Sequence, residues 1–257
     1  MGWDSETTGN STKLMKCYFK EGGAVKWWNP RDDLETTVAV LGTEPQYFAR
    51  RAILDAGCGK GRFAVNFLKC GAQFVLALDI SVDMLRITKW RLRGSRLINK
   101  NGEVVVGDIE RLPLRDESFD ATVCLETLIH LQNPQSALWE LKRVTRAGGL
   151  LFVDVTSANP LRQLLDNRGL GNKVVRFFYH CVNIGIRLLF GERLFWRFYG
   201  TFPRRSVVPW RPFTREEFLR LIENAGLQVT RWINRGRYYA PSGYLAVARK
   251  PPQVEDD

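Results

Sequence analysis

The stretch that most constrains this chain runs Ala52-Ile53-Leu54-Asp55-Ala56-Gly57-Cys58-Gly59-Lys60-Gly61-Arg62-Phe63. An apolar run ends in a carboxylate, glycines follow at alternate positions, and an amphipathic helical pattern then begins. The order is strand, tight turn, helix. Backbone without Cβ atoms lets a ligand approach closely, and the helix start offers free N–H groups and a positive dipole end. Dinucleotide-binding turns have the form G-x-G-x-x-G. Here the third glycine comes one residue early and an Asp stands two residues before the first, so the spacing conflicts with a dinucleotide site. A glycine-rich turn without any ligand is the plainer alternative.

An α/β rhythm continues from there. The pattern predicts strands over 52–55, 74–78, 103–106, 121–125 and 150–155, with helices over 60–70, 82–93 and 135–145. The run Phe74-Val75-Leu76-Ala77-Leu78 is apolar throughout, as in a strand buried on both faces. It ends at Asp79, where a carboxylate is placed to accept the hydroxyls of a ribose. A helix N-cap is the other role for such a residue, but Ser81 already fills it. Arg86, Lys89, Arg91 and Arg93 read as a solvated face of the second helix. Ala147-Gly148-Gly149 reads as the turn into the fifth strand.

The D-x-G-x-G-x-G form of residues 55–61 resembles motif I of the class I S-adenosylmethionine-dependent methyltransferases. Gly107-Asp108-Ile109, followed by Leu112-Pro113-Leu114 and Asp116-Glu117-Ser118-Phe119-Asp120, resembles their adenine-binding segment. Glu126-Thr127-Leu128-Ile129-His130, with Asn133-Pro134 and the helix after it, resembles the polyprenyl-quinone (ubiquinone-biosynthesis) O-methyltransferase type. So does Trp27-Trp28-Asn29-Pro30 ahead of the first strand. The core match covers about residues 50–156. The resemblance implies an α/β, Rossmann-like seven-stranded sheet with the last strand antiparallel, and S-adenosyl-L-methionine as cofactor. It places the methionine part over Gly57, Gly59 and Gly61, with Asp55 and Cys58 in the same motif. Asp79 and Ile80 take the ribose, Asp108 the exocyclic amine, Ile109 the ring face, and Leu125 completes the set. His130 has a pKa suited to removing an acceptor's proton and lies just past the fourth strand. Its other role is a hydrogen bond to backbone. Glu126 is a weaker candidate for the base, and a structural role or a place near the cofactor's methionine end suits it better.

Residues 156–212 are an unusually long connection and so are expected to be functional. Val174, Val175, Phe177, Phe178, Cys181, Val182, Leu188 and Leu189 recur at helical spacing, with Arg176, His180, Asn183 and Arg187 opposite them. Ten basic residues against Asp166 and Glu192 give this segment +8 of the chain's +11. Phe195, Trp196, Tyr199 and Trp210 are interleaved. Cations with large aromatics on an amphipathic helix describe an element that lies on an anionic membrane surface, especially over 168–205. A lid over the acceptor pocket, a homodimer interface and an RNA-binding patch are the alternatives, with nucleic acid least favoured.

At the other end, Thr214 is the predicted N-cap of a helix, with Glu217 at the capping-box position and Gly226 at its close. Strands follow over 227–233 and 243–249, the last antiparallel. Cys17, Cys58, Cys70, Cys124 and Cys181 form no C-x-x-C pair. With two histidines, this composition predicts a reduced cytoplasmic protein with no metal site. No apolar core of a signal peptide is visible, and no run reaches the ~18–20 apolar residues of a span. The expected organisation is a disordered tail over 1–13, a single methyltransferase domain over 14–249 and an acidic tail over 250–257. Within the domain, 14–48 is a helical cap, and plain core packing is its alternative. The expected function is methylation of a small lipophilic acceptor, by O-methylation, at or near a membrane. An RNA or protein methyltransferase and a non-catalytic cofactor-binding subunit are the alternatives.

Overall fold

A computed structural model of the 257-residue chain describes residues 41–94, 101–158, 211–235 and 243–252. Residues 14–40 of the expected cap and 159–210 of the expected insertion lie outside these. The described residues form seven strands: β1 (Ala52–Ala56), β2 (Phe74–Asp79), β3 (Gly102–Val106), β4 (Phe119–Cys124), β5 (Thr145–Thr156), β6 (Gln228–Arg235) and β7 (Gly243–Arg249). They form one sheet in the order β3-β2-β1-β4-β5-β7-β6. β1 to β5 run parallel to one another, and β7 runs antiparallel to both β5 and β6. The strand order reverses between β1 and β4, so a crevice opens at the carboxyl ends of those two strands, where ligands bind in open α/β sheets.

Helices cover both faces. α1 (Arg62–Lys69) and α2 (Val82–Gly94) lie on one side, and α3 (Pro134–Val144) and α4 (Arg215–Asn224) on the other. The first side buries Phe63, Phe67, Leu85 and Leu92 together with Leu41 and Phe48. Phe48 meets Phe67 at 4.6 Å and Phe152 at 5.7 Å between ring centroids. The described end of the 14–48 segment is therefore core. The second side buries Leu138, Leu141, Phe218 and Ile222 against Leu128 and Val153.

The local signals account for the ends of the helices. Asn133 accepts the Ser136 N–H at 3.2 Å, ahead of Pro134 in the first turn of α3. Thr214 and Glu217 form the reciprocal capping box of α4, with both bonds present. Two boundaries differ from expectation. α1 starts at Arg62, not at 60, because Gly61 holds a left-handed N-cap (φ +72°) and Lys60 stays in the turn. β5 starts at Thr145 and runs through the expected Gly148-Gly149 turn, with a register shift against β4 between Phe119 and Ala121. Gly149 leaves no room for a side chain there: a Cβ would come within 2.9 Å of the Asp120 carbonyl. Among the described residues no helix is long and apolar enough to cross a membrane.

Candidate functional site

The turn after β1 is stitched to β2. The N–H groups of Gly57 and Cys58 both donate to the Leu78 carbonyl, at 2.7 and 3.0 Å. The glycines then divide by what surrounds them. A Cβ on Gly57 would fall 2.2 Å from the Thr127 hydroxyl, and one on Gly61 would fall 2.4 Å from the Thr88 methyl. Among the described residues, a Cβ on Gly59 would meet nothing within 4 Å. Two of the three glycines are thus required by the protein's own packing, and only the middle one fronts open space.

Two buried carboxylates flank that space. Asp55 is 3 % exposed and accepts the Ala64 N–H in the first turn of α1 at 3.0 Å. Burial pushes its carboxyl up to about 7, against the opposing pull of that hydrogen bond and of the Arg62 charge. Asp79 accepts the Gly59 N–H on one oxygen and the Ser81 N–H on the other, both at 2.8 Å. Burial raises its carboxyl too, offset by bonds from Ser81, Gly59 and Ile80. Ser81 Oγ accepts the Met84 N–H at 3.3 Å, as expected of an N-cap. Asp79 has a task the sequence reading missed, since it ties the middle glycine to the end of β2.

Cys58 is buried, with its sulfur 4.0 Å from the Thr88 hydroxyl, and burial pushes its thiol well up, so it is neutral. Thr88 also donates to the Gly59 carbonyl at 2.9 Å. Arg91 donates to the Lys60 carbonyl at 3.3 Å, so it braces the turn and is not part of the solvated face expected for it. Arg86, Lys89 and Arg93 are exposed.

Strand register brings the remaining candidates to the same edge. Asp79 pairs with Val106, and its carbonyl accepts the Gly107 N–H at 3.1 Å, which sets Asp108 next to it. Asp108 is half-buried and accepts the Glu110 N–H at 2.9 Å. Ile80 is half-buried, while Ile109 is 5 % exposed and packs into the core with Leu112. Asp55 pairs with Val123, which puts Leu125 just beyond it on the opposite lip of the crevice. His130 is half-buried at the end of a short 3-10 turn, Leu128–His130. The Arg211 N–H donates to the neighbouring Ile129 carbonyl at 2.8 Å, and its guanidinium lies 4.8 Å from the Phe213 ring centre. The described end of the 156–212 segment is thereby fastened beside His130.

The segment after Asp108 is held from behind by Arg143. Its guanidinium donates to the Leu112 and Leu114 carbonyls at 3.1 and 2.8 Å and pairs with Glu140 at 2.8 Å and Asp116 at 2.5 Å. Glu140 also accepts the Leu112 N–H at 2.7 Å. Sequence reasoning missed this brace, as it missed Thr88, Thr127 and Asp154. A signal exists for two of them: Thr88 is a polar residue at a core position of α2, and Asp154 interrupts an apolar strand.

This arrangement can be tested against a cofactor. In a dinucleotide site the helix start faces a pyrophosphate. Here the chain's own Asp55 takes a first-turn N–H of α1, and a second buried carboxylate lies beside it. An anion is disfavoured at that point and a ligand carrying positive charge is favoured. The open face of Gly59 gives it room. These residues fit S-adenosylmethionine, which carries a sulfonium.

Comparison with known proteins agrees. Residues 54–153 match the family model described as a methyltransferase domain. The magnesium protoporphyrin IX methyltransferase of Synechocystis PCC 6803, solved with bound SAH, superposes with a TM-score of 0.62 at 15 % identity, covering 93 % of this chain and 99 % of that one. That likeness shows the fold, which is the Rossmann-like class I methyltransferase fold. Among curated relatives, a demethylmenaquinone methyltransferase of Thermobifida fusca is 32 % identical over 152 residues, 59 % of each chain. A ubiquinone biosynthesis O-methyltransferase of Alkalilimnicola ehrlichii is 30 % identical over 152 residues, 54 % of this chain and 58 % of that one. The chain thus spans under two thirds of the length of these relatives. Residues 54–153 therefore carry the match to a methyltransferase domain, set in a sheet with the class I methyltransferase fold.

Proposed function

We propose that this chain transfers a methyl group from S-adenosylmethionine to a small lipophilic acceptor, a quinone, phenol or lipid-like molecule, by O-methylation at or near a membrane surface. One observation carries the cofactor half. The open Gly59 backbone lies between two buried carboxylates at the point where strand order reverses. The acceptor half draws support from the quinone-pathway names of the two relatives and from the +8 of residues 156–212 with their interleaved aromatics.

In this reading Asp55, Gly57, Cys58, Gly59 and Gly61 hold the methionine part. Asp79 and Ile80 hold the ribose, Asp108, Ile109 and Leu125 bound the adenine side, and His130 takes the acceptor's proton. The bound cofactor supplies an already activated methyl group, so the chain's main work is to align donor and acceptor. Asp79, with an oxygen tied to Gly59 and another to Ser81, fixes the turn and the ribose end as one unit. The neutral Cys58 thiol adds packing without charge. His130 stands across the crevice from the turn, at the lip formed by the residues after β4.

The test pairs binding with transfer. The full chain and a variant lacking 168–205 are sedimented with anionic liposomes, and both are assayed for transfer of labelled methyl to prenylated phenols. The full chain is expected to co-sediment and to label the phenols. The variant is expected to stay in the supernatant while still binding S-adenosylhomocysteine. A full chain that ignores liposomes at low salt overturns the membrane half. Labelling of tRNA or protein, with none of prenylated phenols, overturns the acceptor half.

A further inference from the structure

Asp154 is 1 % exposed in the middle of the apolar run Leu151-Phe152-Val153-Asp154-Val155 of β5. A carboxylate is costly there unless its oxygens are engaged. The β4–β5 ladder ends at the pair Cys124 and Val153. Just beyond that last pair, Asp154 Oδ1 accepts the Glu126 N–H at 2.5 Å. The side chain takes over where the ladder has run out. Glu126 has a left-handed backbone, φ +55°, which residues with a Cβ adopt rarely and at a cost. An extended residue at 126 would prolong β4; the left-handed one ends the strand and re-aims its own side chain.

The neighbour of Glu126 shows where this happens. Thr127 Oγ1 donates to the Leu125 carbonyl at 3.0 Å and reaches the Gly57 carbonyl at 3.5 Å. Its side chain fills the place a Gly57 Cβ would occupy. Glu126, whose side chain is exposed, therefore stands next to the glycine turn on the β4 side of the crevice. Asp55, the other carboxylate close to that turn, is buried and bonded to Ala64.

We propose that Asp154 is a positioning residue: by holding Glu126 left-handed it sets the Glu126 carboxylate against the α-ammonium at the amino-acid end of the cofactor. The inference rests on the cofactor reading above. It assigns to a β5 side chain, acting through the backbone just after β4, the recognition of one end of the ligand.

The test uses two ligands that differ in that end. S-adenosylhomocysteine carries the α-ammonium and 5′-methylthioadenosine lacks it. Calorimetric titrations are run on the full chain and on D154A, E126Q and the double variant. Loss of one charge-assisted bond predicts roughly tenfold or more weaker binding of S-adenosylhomocysteine in each single variant. Methylthioadenosine affinity is expected to stay within about twofold, and the double variant to be no weaker than either single one, as for residues acting in series. D154N keeps an oxygen acceptor and is expected to recover most of the affinity. A residue that only stabilised the fold would weaken both ligands alike. Equal losses for both ligands, unchanged binding in E126Q, or additive losses in the double variant overturn the proposal. Should D154A fail to fold, D154A/E126G is expected to fold and to bind methylthioadenosine like the wild type, because glycine adopts the left-handed backbone unaided. Failure of that pair to fold also overturns it. If the wild type binds neither ligand, the cofactor reading itself has failed, which is a separate result.

Discussion

Replacing each glycine of the turn by alanine separates packing from ligand contact. All three have left-handed φ values, +73° at Gly57, +53° at Gly59 and +72° at Gly61, so alanine costs each about 1 kcal/mol of backbone strain. At 57 the new methyl would stand 2.2 Å from Thr127 Oγ1, and at 61 it would stand 2.4 Å from Thr88 Cγ2. Overpacking of that kind costs about 1–3 kcal/mol more. G57A and G61A are therefore expected to lose about 2–4 kcal/mol of stability, whereas G59A loses about 1 kcal/mol. For a chain of this size 1 kcal/mol corresponds to about 2–4 °C in Tm. Ligand binding should show a different pattern. The G59A methyl occupies the space left for the cofactor, and the same steric cost weakens S-adenosylhomocysteine roughly tenfold to a hundredfold while the fold stays intact. Urea unfolding and calorimetric titration of the three variants give both quantities. The reasoning is refuted if G59A is as destabilised as the other two, or if it binds S-adenosylhomocysteine like the wild type.

The raised Asp55 carboxyl sets a pH dependence: with a folded pKa of about 7 against an ordinary 3.8, its contribution to stability is full below 3.8 and is lost as pH rises to 7. D55N should flatten the fall in urea midpoint across that window in the unliganded protein; a parallel fall in the variant contradicts this. Arg143 is half-buried, so R143A is expected to cost about 1–2 kcal/mol after allowing for solvent. It should also weaken S-adenosylhomocysteine, because the segment after Asp108 loses its brace, and unchanged titrations would disprove that link. T214A removes a capping-box bond and is expected to cost about 1 kcal/mol with no change in ligand affinity. H130Q should keep S-adenosylhomocysteine affinity and lower the transfer rate by about 10²–10⁴-fold, and equal transfer rates would remove His130 from the base role.

Much of the frame was legible because its signals are local. The β1–turn–α1 unit follows from one carboxylate and its glycines, and the α4 capping box from Thr214 and Glu217. The antiparallel β7 follows from the resemblance. What was hidden depends on contacts between distant residues. Nothing local distinguishes Gly59 from Gly57 and Gly61; only Thr127 and Thr88, brought in from the segment after β4 and from α2, do so. Gly148-Gly149 reads as a turn, so the expected start of β5 falls late, while the sheet accommodates the pair through a register shift. The position of Asp79 suggests a ribose ligand or an N-cap, and its bond to Gly59 needs the β1–β2 pairing. Arg91 shares the spacing of its exposed neighbours, which points it to solvent, yet the turn lies within its reach. The expectations for 14–40 and 159–210 lie outside the described residues.

The central claim is that the turn between Asp55 and Asp79 takes S-adenosylmethionine and not a dinucleotide. Calorimetric titration of the full chain with S-adenosylhomocysteine, repeated in the presence of NADH, tests it most directly. The account predicts saturable one-to-one binding that NADH leaves unchanged. No binding of S-adenosylhomocysteine, or its displacement by NADH, would contradict it.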